Sequence, residues 1–151
     1  MASTIASAPP RSAPLAIAPT PEDAGKLLLR VTLGVLMLLH GLAKLQGGVG
    51  GIGDMLAAHG LPPVLAYGVY AGEVLAPLMV IAGLWTRPAA LLMAVNMLFA
   101  IGLAHAGDIF RLGEQGGWAL ELQGFYLFGA VAVALLGAGR ISMGGLAMRW
   151  N

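Results

Sequence analysis

Four long apolar stretches alternate with short, more polar connections along the chain. They cover residues Leu27–Leu45, Val64–Leu84, Pro88–Ala106 and Trp118–Gly137. A helix rises 1.5 Å per residue, so a stretch of about 20 residues matches the roughly 30 Å hydrocarbon core of a bilayer. A buried helix of a soluble bundle keeps a polar stripe at a period of 3.6 residues, and the third stretch has none. The pattern predicts an all-α membrane protein, a bundle of four transmembrane helices.

Composition supports the membrane prediction and excludes several other classes. Hydrophobic residues make up 58% of the 151 residues and charged residues only 10%, whereas soluble domains carry about 25% charged residues. The net charge of +1 and the lack of a basic run argue against nucleic-acid binding. The chain has no cysteine, which excludes disulfides, zinc–thiolate sites and dithiol redox exchange. Any redox chemistry therefore requires a bound cofactor, a quinone-like substrate or a partner subunit.

Three parts are predicted along the chain. Residues 1–25 are rich in Ala, Pro and Ser and are expected to form a disordered tail without the apolar core of a signal peptide. Residues 26–142 form the membrane domain, and residues 143–151 form a short cytoplasmic tail. The glycine pattern Gly48–Gly53 lacks the preceding strand of a nucleotide-binding loop and is interpreted as a flexible loop. A short interfacial helix is predicted after it, N-capped by Asp54 and closed by Gly60.

Basic residues predict the orientation of the bundle. Lys and Arg are more frequent on cytoplasmic faces of membrane proteins, and here the larger set falls on the side of both termini. That side holds Arg11, Lys26, Arg30, Arg87, Arg140 and Arg149, against Lys44 and Arg111 on the other. Both termini are therefore expected in the cytoplasm. Arg30, Arg87 and Arg140 would set this topology and contact lipid headgroups.

Glu73 is the strongest candidate for a functional residue. It lies near the middle of the second stretch, where an ionisable group costs roughly 2.5 kcal/mol or more and is retained where it is paired or useful. Pro77 follows four residues later and removes the hydrogen bond to the Glu73 carbonyl, so a kink is expected. Tyr70 lies one turn before Glu73, and Gly68 and Gly72 form a G-x-x-x-G pattern that permits a close helix contact.

Other ionisable side chains point to the same half of the bundle. His40 and Lys44 share one helix face, His105 ends the third stretch and Glu121 begins the fourth. One polar site is predicted, with Glu73 and His40 as candidate catalytic groups and with Tyr70, Lys44, His105 and Glu121 as candidate substrate-binding groups. Structural hydrogen bonds or ion pairs among them are the alternative. Haem between His40 and His105 is disfavoured because neither lies in a haem motif, and no metal site is expected.

The order of these residues resembles the DoxX family of small bacterial inner-membrane proteins. The resemblance covers about Leu27 to Ser142 and rests on LLLRVTLGVLMLLHGLAKL, YAGEVLAPLMVIAGLWTRPAALLMAVNM and WALELQGFYLFGAVAVALLGAGRIS. It implies a small protein of the bacterial inner membrane that acts as an oxidoreductase component, linked to quinones, detoxification or oxidative stress and working with partners. The family supplies no settled mechanism for named residues.

Three functions remain open from the sequence. The first is a subunit of a membrane oxidoreductase that binds a quinone, together with a redox partner or a second copy of the chain. The second is a non-catalytic scaffold that stabilises a partner complex, consistent with the small residues on the helix faces. The third, a small transporter, ranks last because the cytoplasmic half of the bundle is apolar apart from Asn96.

Overall fold

The computed structural model describes residues 18–114, 116–145 and 148–151. Its main helices are α1 (Pro21–Gly47), α2 (Gly50–Ala58), α3 (Pro63–Ala82), α4 (Thr86–Ala104) and α5 (Glu121–Leu136). No strand occurs within these described ranges, although Leu112 and Trp118 form an isolated antiparallel bridge between α4 and α5. The prediction of an all-α protein is confirmed.

Four of the helices form a bundle around one core. Helix α1 packs against α3 and α5, and α4 packs against the same two, so α1 and α4 lie diagonally across the bundle. The core consists largely of small and flexible side chains: Leu33, Met37, Ala76, Val80, Ala89, Ala90, Met93, Ala94, Met97, Tyr126, Ala130, Val133 and Ala134. Small residues allow helix backbones to approach closely. Because lipid is as apolar as the helix surfaces, the hydrophobic effect does not hold membrane helices together, and close van der Waals packing stabilises their association instead.

Within the described residues, three helices are long and apolar enough to cross a membrane. Helices α1, α3 and α4 contain windows with mean hydropathy of 1.6 to 1.8, of which only 28 to 33% is buried in the bundle. Large apolar side chains such as Phe99, Phe125 and Phe128 are more than half exposed. Such an apolar surface fits a lipid surrounding. Helix α5 is apolar but has 16 residues and reaches about 24 Å, so the fourth crossing remains a prediction.

Helix α1 begins at Pro21, earlier than the predicted Leu27. The Thr20 side chain accepts a hydrogen bond from the Asp23 backbone N–H at 3.3 Å, and the Asp23 carboxylate accepts one from the Thr20 N–H at 2.9 Å. This reciprocal capping box, with proline in the first turn, fixes the start of the helix. The prediction of a disordered tail is therefore wrong for its last residues, while residues 1–17 lie outside the described ranges.

The short helix α2 differs from its prediction at one end. It begins at Gly50 with Val49 as N-cap, so the flexible loop predicted at Gly48–Gly53 and the Asp54 cap are both wrong. Its other end is as predicted. Gly60 has φ +72°, and its N–H donates to the Ala57 carbonyl at 2.9 Å, the Schellman arrangement that ends many helices.

Helix α3 changes its winding along its length. It opens with a 3₁₀ turn at Pro63–Tyr67, continues as α-helix at Gly68–Tyr70, passes through a π-turn at Ala71–Leu75 and resumes as α-helix at Ala76–Ala82. Pro77 has no N–H to donate into the preceding turn, and a π-turn redistributes the hydrogen bonds around such a gap. The disturbance expected before Pro77 is therefore a widened turn, and Glu73 lies in it.

Helices α3 and α4 form a tight hairpin, because only residues 83–85 separate them. Helix α3 ends at Gly83 with φ +71°, and α4 begins at Thr86. Pro88 is therefore the third residue of α4 and not its first.

Arg30, Arg87 and Arg140 lie at one end of the bundle, called here the arginine end. Arg30 is only 2% exposed and donates to the carbonyls of Val80 and Ile81, which end α3, and of Ile141. Headgroup contact was the wrong prediction for this residue, because its guanidinium satisfies helix-terminal carbonyls inside the protein.

The residues after α5 fold back on this same end. The Met143 N–H donates to the Ala82 carbonyl at 3.0 Å, and the Asn151 side chain accepts from the Thr86 hydroxyl at 3.0 Å. Arg87 donates to the Asn151 carbonyl at 3.1 Å. The described part of the predicted C-terminal tail is therefore docked on the α3–α4 hairpin.

Candidate functional site

Glu73 is a buried carboxylate held from two neighbouring helices. Its side chain is 3% exposed. The Lys44 ammonium of α1 donates to Oε2, and the Asn96 amide of α4 donates to Oε1 at 3.1 Å. Both carboxylate oxygens therefore have a donor, and the ion pair with Lys44, one of the arrangements open from the sequence, is present.

Two glycines bring the neighbouring helices close to Glu73. A Cβ on Gly41 of α1 would overlap the Glu73 carbonyl and lie 2.7 Å from a methyl group of Val74. A Cβ on Gly72 would lie 2.5 Å from the Cβ of Asn96. Gly68 faces open space, so the G-x-x-x-G pattern contributes only through Gly72. The site thus depends on bare backbone at both helix contacts.

Tyr70 supports the same cluster from its edge. Its hydroxyl donates to the Lys44 carbonyl at 3.1 Å. This bond ties the last turns of α1 to the turn that precedes Glu73. Tyr70 therefore positions the backbone of Lys44 and makes no hydrogen bond to the Glu73 carboxylate.

His40 reaches this cluster through Tyr126 of α5. The two rings meet edge to face, with centroids 5.4 Å apart at 77°. Tyr126 is 6% exposed, and its hydroxyl lies near enough to Glu73 to interact electrostatically with the carboxylate. His40 itself is exposed, and its Nδ1 donates to the Leu36 carbonyl at 3.0 Å.

His105 and Glu121 do not join Glu73, contrary to the prediction of one site. His105 Nε2 lies 3.2 Å from the Gln123 amide nitrogen, and its Nδ1 lies 3.6 Å from the Asp108 carboxylate. Glu121 is exposed and accepts from the Trp118 N–H at 3.1 Å. Both side chains are engaged at the bundle end opposite the arginine end. They satisfy local groups beside helix termini and are unavailable to the deeper carboxylate.

Asn96 and Tyr126 complete the cluster but were not among the predicted site residues. Asn96 did carry a signal, since it is a polar residue within an apolar membrane stretch. Tyr126 carried none, because aromatic residues are common on both core and lipid faces. Metal binding finds no support in the described ranges, where no three His, Asp or Glu side chains are placed to hold an ion.

This arrangement suits proton exchange. A buried carboxylate beside a partly exposed ammonium can exchange a proton with it or with a bound molecule. Asn96 cannot titrate, so it fixes the orientation of the carboxylate whatever its protonation state. The widened turn of α3 adds backbone groups that a ligand or a water molecule can satisfy.

Comparison with known proteins identifies the family. The sequence model of DoxX matches residues 25–106. The chain is 39% identical over 79 residues to a Bacillus subtilis protein named "Putative oxidoreductase CatD", an alignment that covers 52% of this chain and 58% of that relative's length. It is 32% identical over 122 residues to an uncharacterized protein of Haemophilus influenzae, covering 71% of this chain and 84% of the relative. No solved structure matches the chain. The protein belongs to the DoxX family.

Proposed function

We propose that this protein is a membrane-embedded component of an oxidoreductase that acts on a quinone-type ring. The observation that carries the proposal is Glu73, a 3% exposed carboxylate in the widened turn of a membrane helix, held by Lys44 and Asn96. An intramembrane carboxylate with designated partners is a functional group by default. The name of the Bacillus relative, an oxidoreductase, supports the same class of reaction.

The residues of the chain determine which parts of a quinone reduction it can carry out. Reduction of a quinone to a quinol takes two electrons and two protons. The chain has no cysteine, so the electrons come from a redox partner or a bound electron carrier. The two protons come from water at the membrane surface, which reaches the partly exposed Lys44. Glu73 accepts each proton in turn and delivers it to a ring oxygen, and the Lys44 ammonium stabilises the negative charge that the ring acquires. The reverse reaction uses the same groups as proton acceptors.

The proposal places four helices across the bacterial inner membrane, with both termini in the cytoplasm. Its support is the grouping of Arg30, Arg87 and Arg140 at the bundle end where both α1 begins and the chain after α5 is docked. Basic residues mark the cytoplasmic side of membrane proteins. Lys44 and Glu73 then lie toward the opposite face.

Glu73→Gln tests the proposal, with Glu22→Gln as a matched control. Glu22 is 75% exposed, pairs with Lys26 and lies at the arginine end. Complexes purified from native membranes in mild detergent are analysed for co-purified quinone and for quinol-dependent electron transfer. The expected result is loss of activity in Glu73→Gln alone. If Glu73→Gln instead reduces partner recovery while quinone binding and turnover remain intact, the protein is a scaffold and the oxidoreductase proposal fails.

A further inference from the structure

A groove runs along the bundle surface between α1 and α5. Its volume is about 600 Å³, within the range of small-molecule sites. Leu33 and Leu36 line it on the α1 side, and Trp118, Phe125 and Phe128 line it on the α5 side. Phe125 and Phe128 are 78% and 64% exposed, so the groove opens on the surface that faces lipid. An apolar, aromatic wall of this kind favours a flat hydrocarbon-rich ligand over a soluble one.

Tyr126 connects this groove to Glu73. It lies in the groove wall and is 6% exposed. Its hydroxyl forms no hydrogen bond with any residue in the described part of the chain, although it lies within electrostatic reach of Glu73. The hydroxyl is not one of the fully buried atoms that lack a partner in the described chain, so it retains accessible surface. The donor is therefore available to a molecule that occupies the groove.

We infer that the groove admits a lipid-soluble ring laterally from the bilayer and that Tyr126 donates a hydrogen bond to its carbonyl oxygen. This inference rests on the proposed function and adds to it the route of entry and a substrate-binding residue. The hydrocarbon tail of the ring remains along the lipid-facing part of the groove. Tyr126 both lines the groove and interacts electrostatically with Glu73, so it is the residue through which a ring in the groove approaches the Lys44–Glu73 pair.

Tryptophan fluorescence locates the ligand. The full chain in lipid nanodiscs is titrated with a benzoquinone that carries a short alkyl chain, since quinones quench nearby indoles. The Trp85→Phe/Trp150→Phe variant retains only Trp118, in the groove wall, whereas Trp118→Phe/Trp150→Phe retains only Trp85, beside Arg87 at the arginine end. Saturable quenching of Trp118 with little effect on Trp85 is expected. Equal quenching of both would overturn the inference.

Two pairs of variants test the residues. Tyr126→Phe removes the free hydroxyl, and Tyr67→Phe is its control because Tyr67 is 64% exposed. Leu36→Phe narrows the groove, and Leu39→Phe adds the same bulk to an exposed position of α1 that does not line it. The dissociation constant is expected to rise about tenfold in Tyr126→Phe, as for loss of one hydrogen bond. It should also rise in Leu36→Phe and stay unchanged in both controls.

The outcomes separate this inference from the proposed function. If Glu73→Gln abolishes turnover while Tyr126→Phe and Leu36→Phe bind the quinone normally, the function stands and the groove is not the route. If the groove variants lose binding while Glu73→Gln turns over normally, the groove binds the ring and the proposed role of Glu73 fails. A change of oligomeric state in Leu36→Phe, without a change in quinone affinity, would assign the groove to a second copy of the chain.

Discussion

The pair formed by Lys44 and Glu73 allows a double-mutant test of the site, because its two members differ in burial. The Lys44 side chain is 29% exposed, whereas Glu73 is 3% exposed. Lys44→Met leaves a buried carboxylate with only Asn96 as donor, and we expect it to lower the free energy of unfolding by about 3 kcal/mol. Glu73→Gln should lower it by only about 1.5 kcal/mol, since the amide keeps the volume and the lysine can extend toward the membrane surface.

The double variant should be destabilised by roughly 2 kcal/mol less than the sum of the single variants, because Lys44→Met harms the protein mainly by leaving Glu73 charged and unpaired. The measurement is reversible unfolding in mixed micelles, followed by tryptophan fluorescence. Lys26 and Glu22 provide a control cycle with the same residue types, four residues apart and 2.7 Å between charged atoms. Because Glu22 is 75% exposed, that pair should couple by less than about 0.5 kcal/mol. Additive effects at Lys44 and Glu73 would refute the reasoning.

Further predictions concern the contacts around the site and the ends of the bundle. Gly41→Ala should lower the free energy of unfolding by about 1 to 3 kcal/mol, because its methyl group overlaps the Glu73 carbonyl. Its control is Gly25→Ala, in open space on the same helix, which should be neutral or stabilising in the same unfolding assay. Arg30→Gln should lower the yield of monodisperse protein in size-exclusion chromatography, since it leaves carbonyls of α3 without their donor, whereas Arg149→Gln, at an exposed position, should leave the yield unchanged. Single cysteines are placed at exposed Ala18 and His59, in a chain without native cysteine. The cysteine at position 59 should react with an impermeant maleimide in intact cells, and the cysteine at position 18 should react only after the membrane is permeabilised. Labelling of both positions from one side would contradict the proposed topology.

The sequence was informative about Glu73 because the depth of a residue in the membrane and its chemistry suffice to identify a buried acid. A carboxylate in the middle of an apolar stretch must find a partner, and Lys44 lay at a suitable level on another predicted helix. His105 and Glu121 fall in the same half of the membrane as Glu73, and depth is the only coordinate that a sequence provides. The structure separates them, because depth does not specify which direction a side chain takes around its helix or whether a helix terminus engages it first.

The start of α1 shows a different kind of omission. Thr20, Pro21 and Asp23 form a capping box that sequence rules describe, yet the apolar pattern alone placed the start at Leu27. The local signal was present and the hydrophobic pattern outweighed it. At α2, by contrast, a glycine-rich segment is helical because Val49 and Leu56 pack with Ala66 in a small apolar cluster, and tertiary packing overrides the low helix propensity of glycine.

The sequence by itself determined that lipid surrounds the apolar helices and that one of them carries a buried carboxylate. Both follow from transfer free energies, which are properties of each residue and add along a segment. The tertiary structure alone decided the contacts: Asn96 on Glu73, Arg30 on the end of α3, and the groove that Tyr126 lines. These depend on the rotation and spacing of helices in a bundle, which arise from many weak packing interactions at once, and in which small residues such as Gly41 determine how closely two backbones approach.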